Sequence, residues 1–335
     1  MKRHISLLIL IVTFATACSD GQATTKPAAV TTTTAPVEPE KTKKTTTAFD
    51  GERAFNHVKA QIGFGPRPAG SPAIEKTRQY LLQELSSYGL KTSLDEFTTR
   101  TPQGPVRFKN VIAELPGDGT GDIIILASHY DTKLYKEFTF VGANDGGSST
   151  GALLELARVM ASESAGEKRK SRFTYQFVFF DGEEAFCPKW SDCLKGKDNT
   201  YGSRHMVARL KKENRLKQIK AMILLDMIGD KDLTLARCEE SSAWLVQTIW
   251  ETGQELGFTN QFLNRTQSMV DDHQPFLEAG IPAVDIIDFE YGDGEEDNRY
   301  WHSKDDTLDK LSAGSLKIVG DVVLLSLPRI EPKIK

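Results

Sequence analysis

Residues 173–184, FTYQFVFFDGEE, run from an apolar stretch into a turn that ends on Glu183 and Glu184. An unbroken aromatic and β-branched run of this length predicts a strand buried on both faces. Adjacent carboxylates repel, and each loses hydration when it leaves water. A pair placed at the end of a buried strand therefore needs a compensating charge. A divalent cation supplies one: one glutamate can bind it while its neighbour faces a substrate as proton carrier.

Three further runs of the same kind lie along the chain: GDIIILASHYD (121–131), AMILLDMIGD (221–230) and GIPAVDIID (280–288). Between and around them, TGALLELARVMAS (150–162), YGSRHMVARLKKEN (201–214), SSAWLVQTIWETGQELG (241–257) and SAGSLKIVGDVVLLSL (312–327) carry helical spacing. Two more helices are predicted in RAFNHVKAQIGF (53–64) and IEKTRQYLLQELSSYGL (74–90), followed by β segments KTSLDEFTTR (91–100) and FKNVIAELPG (108–117). Apolar strands alternating with helices predict an α/β fold: a single domain with a mostly parallel central sheet covered by helices on both faces. No internal repeat is present.

The composition is that of an ordinary globular protein, 39% hydrophobic and 26% charged over 335 residues. A formal net charge of −4 gives no argument for a nucleic-acid partner. At the start, Lys2, Arg3 and His4 precede ISLLILIVTFATA (5–17), an apolar core too short for a membrane span and suited to a signal peptide, residues 1–17. Ala15-Thr16-Ala17-Cys18 reads either as a general signal-peptidase site or as a lipobox with Cys18 lipidated, although Ala15 stands where leucine is most common. Residues 18–48, rich in Thr, Pro and Lys, hold too little apolar surface to offset ordering entropy and are expected to form a disordered tether. The expectation is an exported protein, periplasmic or in the cell envelope, with a possible membrane tether through Cys18. Residues 49–335 remain for the catalytic domain. Cys187 and Cys193 are close enough for a loop disulfide in an oxidising compartment, with two small buried thiols as the alternative.

In open α/β sheets, sites form beyond the carboxyl ends of the strands, where polar residues fall in this chain. His129 and Asp131 follow the first buried run, Glu183 and Glu184 the second, and Asp226 ends the third. Asp145 sits in VGANDGGSSTG (141–151), Asp271 and Asp272 precede His273, and His302 lies in YWHS. Imidazole and carboxylates without thiolate suit a catalytic Zn²⁺ with one position left open. Any one of these residues alone is more simply a satisfied structural group or a solvated surface charge. Their recurrence at successive strand and turn ends carries the signal.

His129-Tyr130-Asp131, then GANDGGSSTGALLELAR, Glu183-Glu184, Asp226 and His302 resemble the successive motifs of the zinc-dependent M28 exopeptidases, as does GFGPRPAGS (63–71). The resemblance spans Gly63 to the C-terminus. FFDGEEAF followed by Trp190 and YGSRH, LLDMIGD, DDHQPF and Trp301 before His302 are similar to the glutaminyl-peptide cyclotransferases of animal type within that family. A monomer is expected. The resemblance implies a zinc-exopeptidase-like fold and peptide or protein N-termini as substrates. It also implies one zinc on Asp145, Glu184 and His302, with Glu183 as general acid/base in a network with Asp226 and Asp271. Trp190 and Trp301 would line the pocket. Three features depart from the animal enzymes: Ser128 and Ser149 stand near their cysteine positions, Asp285 replaces a histidine, and the loop carrying Cys187 and Cys193 is longer.

Two chemistries fit these residues. Cyclisation of an N-terminal glutamine brings its own nucleophile and needs one Lewis acid and one proton carrier. An aminopeptidase must activate water and would use two metals, with His129 and Asp226 among the ligands of the second. A catalytically silent binding protein on the same scaffold is the third reading.

Overall fold

The computed structural model describes residues 47–119, 121–166, 170–292 and 298–335. The signal-peptide and Cys18 readings, and the tether up to residue 46, lie outside the described residues. The chain begins with helices α1 (Gly51–Gly63) and α2 (Pro72–Ser87), then strands β1 (Lys91–Thr101), β2 (Gly104–Leu115) and β3 (Ile123–His129). Next come α3 (Gly147–Ala165), β4 (Thr174–Phe180), α4 (Tyr201–Lys212), β5 (Ile219–Asp226) and β6 (Leu235–Cys238). The last elements are α5 (Ala243–Glu255), β7 (Phe262–Gln267), α6 (Gln274–Glu278), β8 (Ala283–Ile287) and α7 (Ala313–Ile330).

Six strands form one sheet in the order β1-β2-β4-β3-β5-β8. β4, β3, β5 and β8 run parallel, and β1 and β2 add an antiparallel edge beside β4. The four parallel strands are the four apolar runs of the sequence. Side chains alternate across a strand, so each run feeds two cores. Ile124 and Leu126 of β3, with Ala221, Ile223 and Leu225 of β5, face a cluster completed by α1, α2, α3, α5 and α7. Ile125, Ala127, Met222 and Leu224 face a smaller cluster with Met206 and Leu210 of α4 and Phe276 of α6. Burial on both faces explains why these strands read as continuous apolar stretches.

Local signals set the helix ends. Ser71 caps α2 by accepting from the Ile74 N–H, with Pro72 at the first helical position. The first and last helices pack against each other closely: a Cβ at Gly51 would sit 2.1 Å from the Ala313 carbonyl oxygen, and one at Gly320 would sit 2.5 Å from the Phe49 ring. A separate two-stranded parallel ladder, β6 with β7, was not foreseen from the sequence. Its strands are short, and β7 is largely exposed, so no apolar run announces it. Among the described residues no helix is long and apolar enough to cross a membrane.

Candidate active site

The carboxyl ends of β3, β4 and β5 meet the loop before α3 at one rim of the sheet. There Asp145, Glu183, Glu184, Asp226, Asp271 and His302 share a cavity of about 440 Å³ with Pro188, Trp190, Met269, Val270, Phe289 and Trp301. Every residue expected to bind the single zinc, carry protons or line the pocket is therefore at one place. His129 lies beneath the cavity, 1% exposed, with Nε2 at 3.2 Å from Asp226 Oδ1 and 3.3 Å from Asp145 Oδ1.

His302 Nε2 stands 3.0 Å from Glu184 Oε1 and 3.3 Å from Asp145 Oδ2. One donor atom from each of these three residues lies within 4.8 Å of the others. Asp145 Oδ2 and Glu184 Oε2 are buried without a well-formed hydrogen bond, their nearest donors being His302 at 3.3 Å and the Lys133 ammonium at 3.7 Å. Buried carboxylate oxygens so incompletely satisfied are costly, and a divalent cation among two carboxylates and an imidazole would reduce the cost. The donor set fits zinc with an open position. Burial would lower the His302 imidazolium, but Glu184 and Asp145 overcome it and hold it at about 9. His129, Asp145 and Asp226 form a second group of donors that shares Asp145 with the first.

Left-handed backbone also occurs at this site. Met227, directly after Asp226, has φ +48°, and His302 has φ +54°. Such left-handed values in non-glycine residues persist where surrounding structure enforces them, commonly at functional sites. In the turn after β4, Gly182 has φ +79°, and a Cβ there would meet Phe108 Cε1 at 2.4 Å. Glycine at this position lets the strand turn sharply enough to aim both glutamates into the cavity.

Glu183 is 7% exposed. Burial raises its carboxyl well above the ordinary value; His129 opposes the rise, and the carboxylates of Asp271, Glu184 and Asp272 add to it. Asp271 is raised for a similar reason, by burial and then by Asp285 and Asp226. Trp301 stacks on the His302 ring with centroids 3.9 Å apart and meets Phe289 edge-on. Trp190 sits in a loop closed by a disulfide between Cys187 and Cys193, which decides between the two readings of those cysteines.

Three supporting groups had no assigned role in the sequence reading. Asp131 grips the glutamate turn: Oδ1 accepts the Glu183 N–H at 3.1 Å and Oδ2 the Glu184 N–H at 3.2 Å. Asp306 grips the loop before α3, accepting the Asn144 N–H at 2.7 Å and the Asp145 N–H at 3.2 Å. Arg67, fully buried, donates to the carbonyls of Tyr130, Val141 and Gly142 at 3.2, 2.7 and 3.0 Å. The visible signal for each was its place inside a motif: HYD, WHSKDD and GFGPRPAGS. Loop carboxylates read as surface charge until their backbone partners are known.

The Asp131 clamp has a direct test. D131N presents an amide N–H₂ to one of two backbone N–H groups and leaves that buried donor unsatisfied. Thermal unfolding is expected to show a loss of about 1–3 kcal/mol. A stability equal to wild type would mean that the two bonds do not hold the turn.

The model of peptidase family M28 matches residues 110–327. The chain is 32% identical over 276 residues to a bovine (Bos taurus) glutaminyl-peptide cyclotransferase-like protein, spanning 72% of this chain and 66% of that one. The crystal structure of Acidobacteriales bacterium glutaminyl cyclase superposes with a TM-score of 0.77 at 34% identity, covering 88% of this chain and 99% of that chain. A Zn-dependent exopeptidase from Parabacteroides distasonis superposes with a TM-score of 0.73 at 26% identity, covering 82% and 97% respectively. The matched span contains every active-site residue described above, from His129 to His302, and the chain belongs to peptidase family M28, in its glutaminyl-peptide cyclotransferase branch.

Proposed function

We infer that the protein is a glutaminyl-peptide cyclotransferase, converting an N-terminal glutamine of peptides or proteins to pyroglutamate with release of ammonia. The observation that carries the reading is the placement of Glu183 beside the Asp145, Glu184 and His302 donor set, in one cavity walled by Trp190, Phe289 and Trp301.

Asp145, Glu184 and His302 would hold one zinc. A zinc bound there supplies Lewis-acid polarisation of the γ-carboxamide oxygen. The remaining work falls to the chain itself. The aromatic and apolar walls hold the glutamine side chain folded toward its own α-amine and exclude water, which favours the intramolecular attack. The amine nitrogen forms the new bond to the γ-carbon, and the bond from that carbon to the amide nitrogen breaks. Glu183 takes the proton from the amine and delivers it to the departing ammonia. Asp226 and Asp271 line the same cavity and would orient Glu183.

The test is a mass spectrum of a short Gln-initiated peptide incubated with zinc-supplied protein. The expected product has lost one ammonia, at a rate well above a no-enzyme control. Dialysis against a chelator is expected to abolish turnover, and added zinc to restore it. Activity untouched by chelation would refute the zinc assignment.

One observation favours a second reading, a metallo-aminopeptidase. His129, Asp145 and Asp226 offer a second group of donors adjoining the first. In the same assay that activity would appear as a peptide shortened by its first residue. We also propose, from the sequence, export to the cell envelope with Cys18 as a lipid anchor. Intact mass of the mature protein reads this directly: an acylated N-terminal cysteine supports it, and an unmodified N-terminus refutes it.

A further inference from the structure

We propose that Cys238, His273 and Asp285 form a second, closed cation site of zinc-binding type, distinct from the catalytic cavity. Cys238 ends β6, His273 immediately precedes α6, and Asp285 lies in the middle of β8. Three elements far apart in sequence therefore converge on one point. Their exposures are 4%, 0% and 0%, and none of the three lines the cavity around Glu183.

Three polar atoms at this point lack hydrogen-bond partners. His273 Nδ1 and both carboxylate oxygens of Asp285 are buried without a hydrogen bond. Nδ1 lies 3.7 Å from Asp285 Oδ2, beyond ordinary hydrogen-bond reach. On the other edge of the ring, Nε2 lies 3.6 Å from Cys238 Sγ. One donor atom each from thiol, imidazole and carboxylate falls within a 4.8 Å span. Small side-chain rotations close that span to the roughly 3.3–3.7 Å edges of a tetrahedral zinc site. The Met269 carbonyl and Glu240 Oε2, 3.7 and 3.8 Å from Sγ, stand beside it as further oxygen donors.

Charge and softness both favour zinc over calcium or magnesium. A thiolate, a neutral imidazole and a carboxylate suit a borderline-soft ion, and two negative ligands balance its charge in a dry interior. Burial pushes the His273 imidazolium down to about 4, so the ring is neutral and free to ligate. Burial, and then the Asp226 and Asp272 carboxylates, hold the Asp285 carboxyl well above its ordinary value, and a cation bound to it would favour the ionised form. An ion here would tie β6 to β8 and fix the start of α6, directly after Asp271 and Asp272.

Cobalt substitution tests the proposal without using activity. The donors around the catalytic cavity include no thiol, so a thiolate-to-cobalt charge-transfer band in the near ultraviolet reports this site. The full chain loaded with Co²⁺ is expected to show the band, and D145N, altered in the cavity, to keep it. C238S is expected to lose at least nine-tenths of it, and D285N to need about tenfold more cobalt, or worse. D285N keeps shape and volume, so it covers the case in which C238S fails to fold. No band in the wild type, or a band unchanged in C238S, overturns the proposal.

Discussion

E183Q is expected to retain its metal and its fold while turnover falls about 10²–10⁴-fold, the usual contribution of a positioned proton carrier. The argument is geometric. Gln has the shape of Glu, and the turn that presents residue 183 is held by its backbone N–H on Asp131 rather than by the side chain. The donor set on Asp145, Glu184 and His302 does not include residue 183. What the substitution removes is the ability to take a proton from the α-amine and return it to ammonia. That corresponds to about 3–5 kcal/mol of transition-state stabilisation. Because substrate is held by the pocket walls, KM should change far less than kcat. Metal content by elemental analysis and a burst-free steady-state assay check both halves. Full activity in E183Q would remove Glu183 from the chemistry, and loss of metal would mean that it is a ligand.

The second large effect is expected far from the substrate. R67M should lower stability by about 3–5 kcal/mol in urea unfolding, the range seen when one side of a buried polar arrangement is removed. Arg67 is fully buried, and its guanidinium serves three carbonyls that belong to two segments, the end of β3 and the loop before α3. Methionine fills much of the same space but leaves those carbonyls without donors, and each such loss is expensive. Burial lowers the Arg67 pKa to about 10, while Asp306, Asp131 and Asp145 support the charge. The guanidinium therefore stays protonated and balances the acidic site. R67K should not rescue, since a single ammonium cannot span the planar fork that reaches all three oxygens. A loss below about 1 kcal/mol would show that the loop holds itself.

The fold and the site differ in how much of each can be read from residues alone. β3, β4, β5 and β8 were legible because burial on both faces forces an unbroken apolar run, and their ends carried His129, the Glu183-Glu184 turn and Asp226. The β6–β7 ladder was not legible, since four residues on one side and an exposed strand on the other leave no periodic signal. Metal-type residues announced themselves by chemistry. The residues that position them did not: Asp131, Asp306 and Arg67 act through backbone atoms of distant segments, and backbone partners leave no mark in sequence. For the same reason nothing in the sequence linked Cys238 to His273 and Asp285, more than thirty positions away.

The contact between α1 and α7 bears on the order of synthesis. Phe49 and Gly51 rest on the backbone of a helix whose 18 residues are made after every strand of the main sheet. Leu316, Val319, Val323 and Leu327 of that helix belong to the larger core cluster. A nascent chain that has emitted all six strands of the main sheet still lacks the part of that core supplied by α7, and the gap stays open to chaperones and proteases until α7 emerges. Stop codons between His302 and α7 should thus act as complete losses, even though every catalytic side chain has already been synthesised.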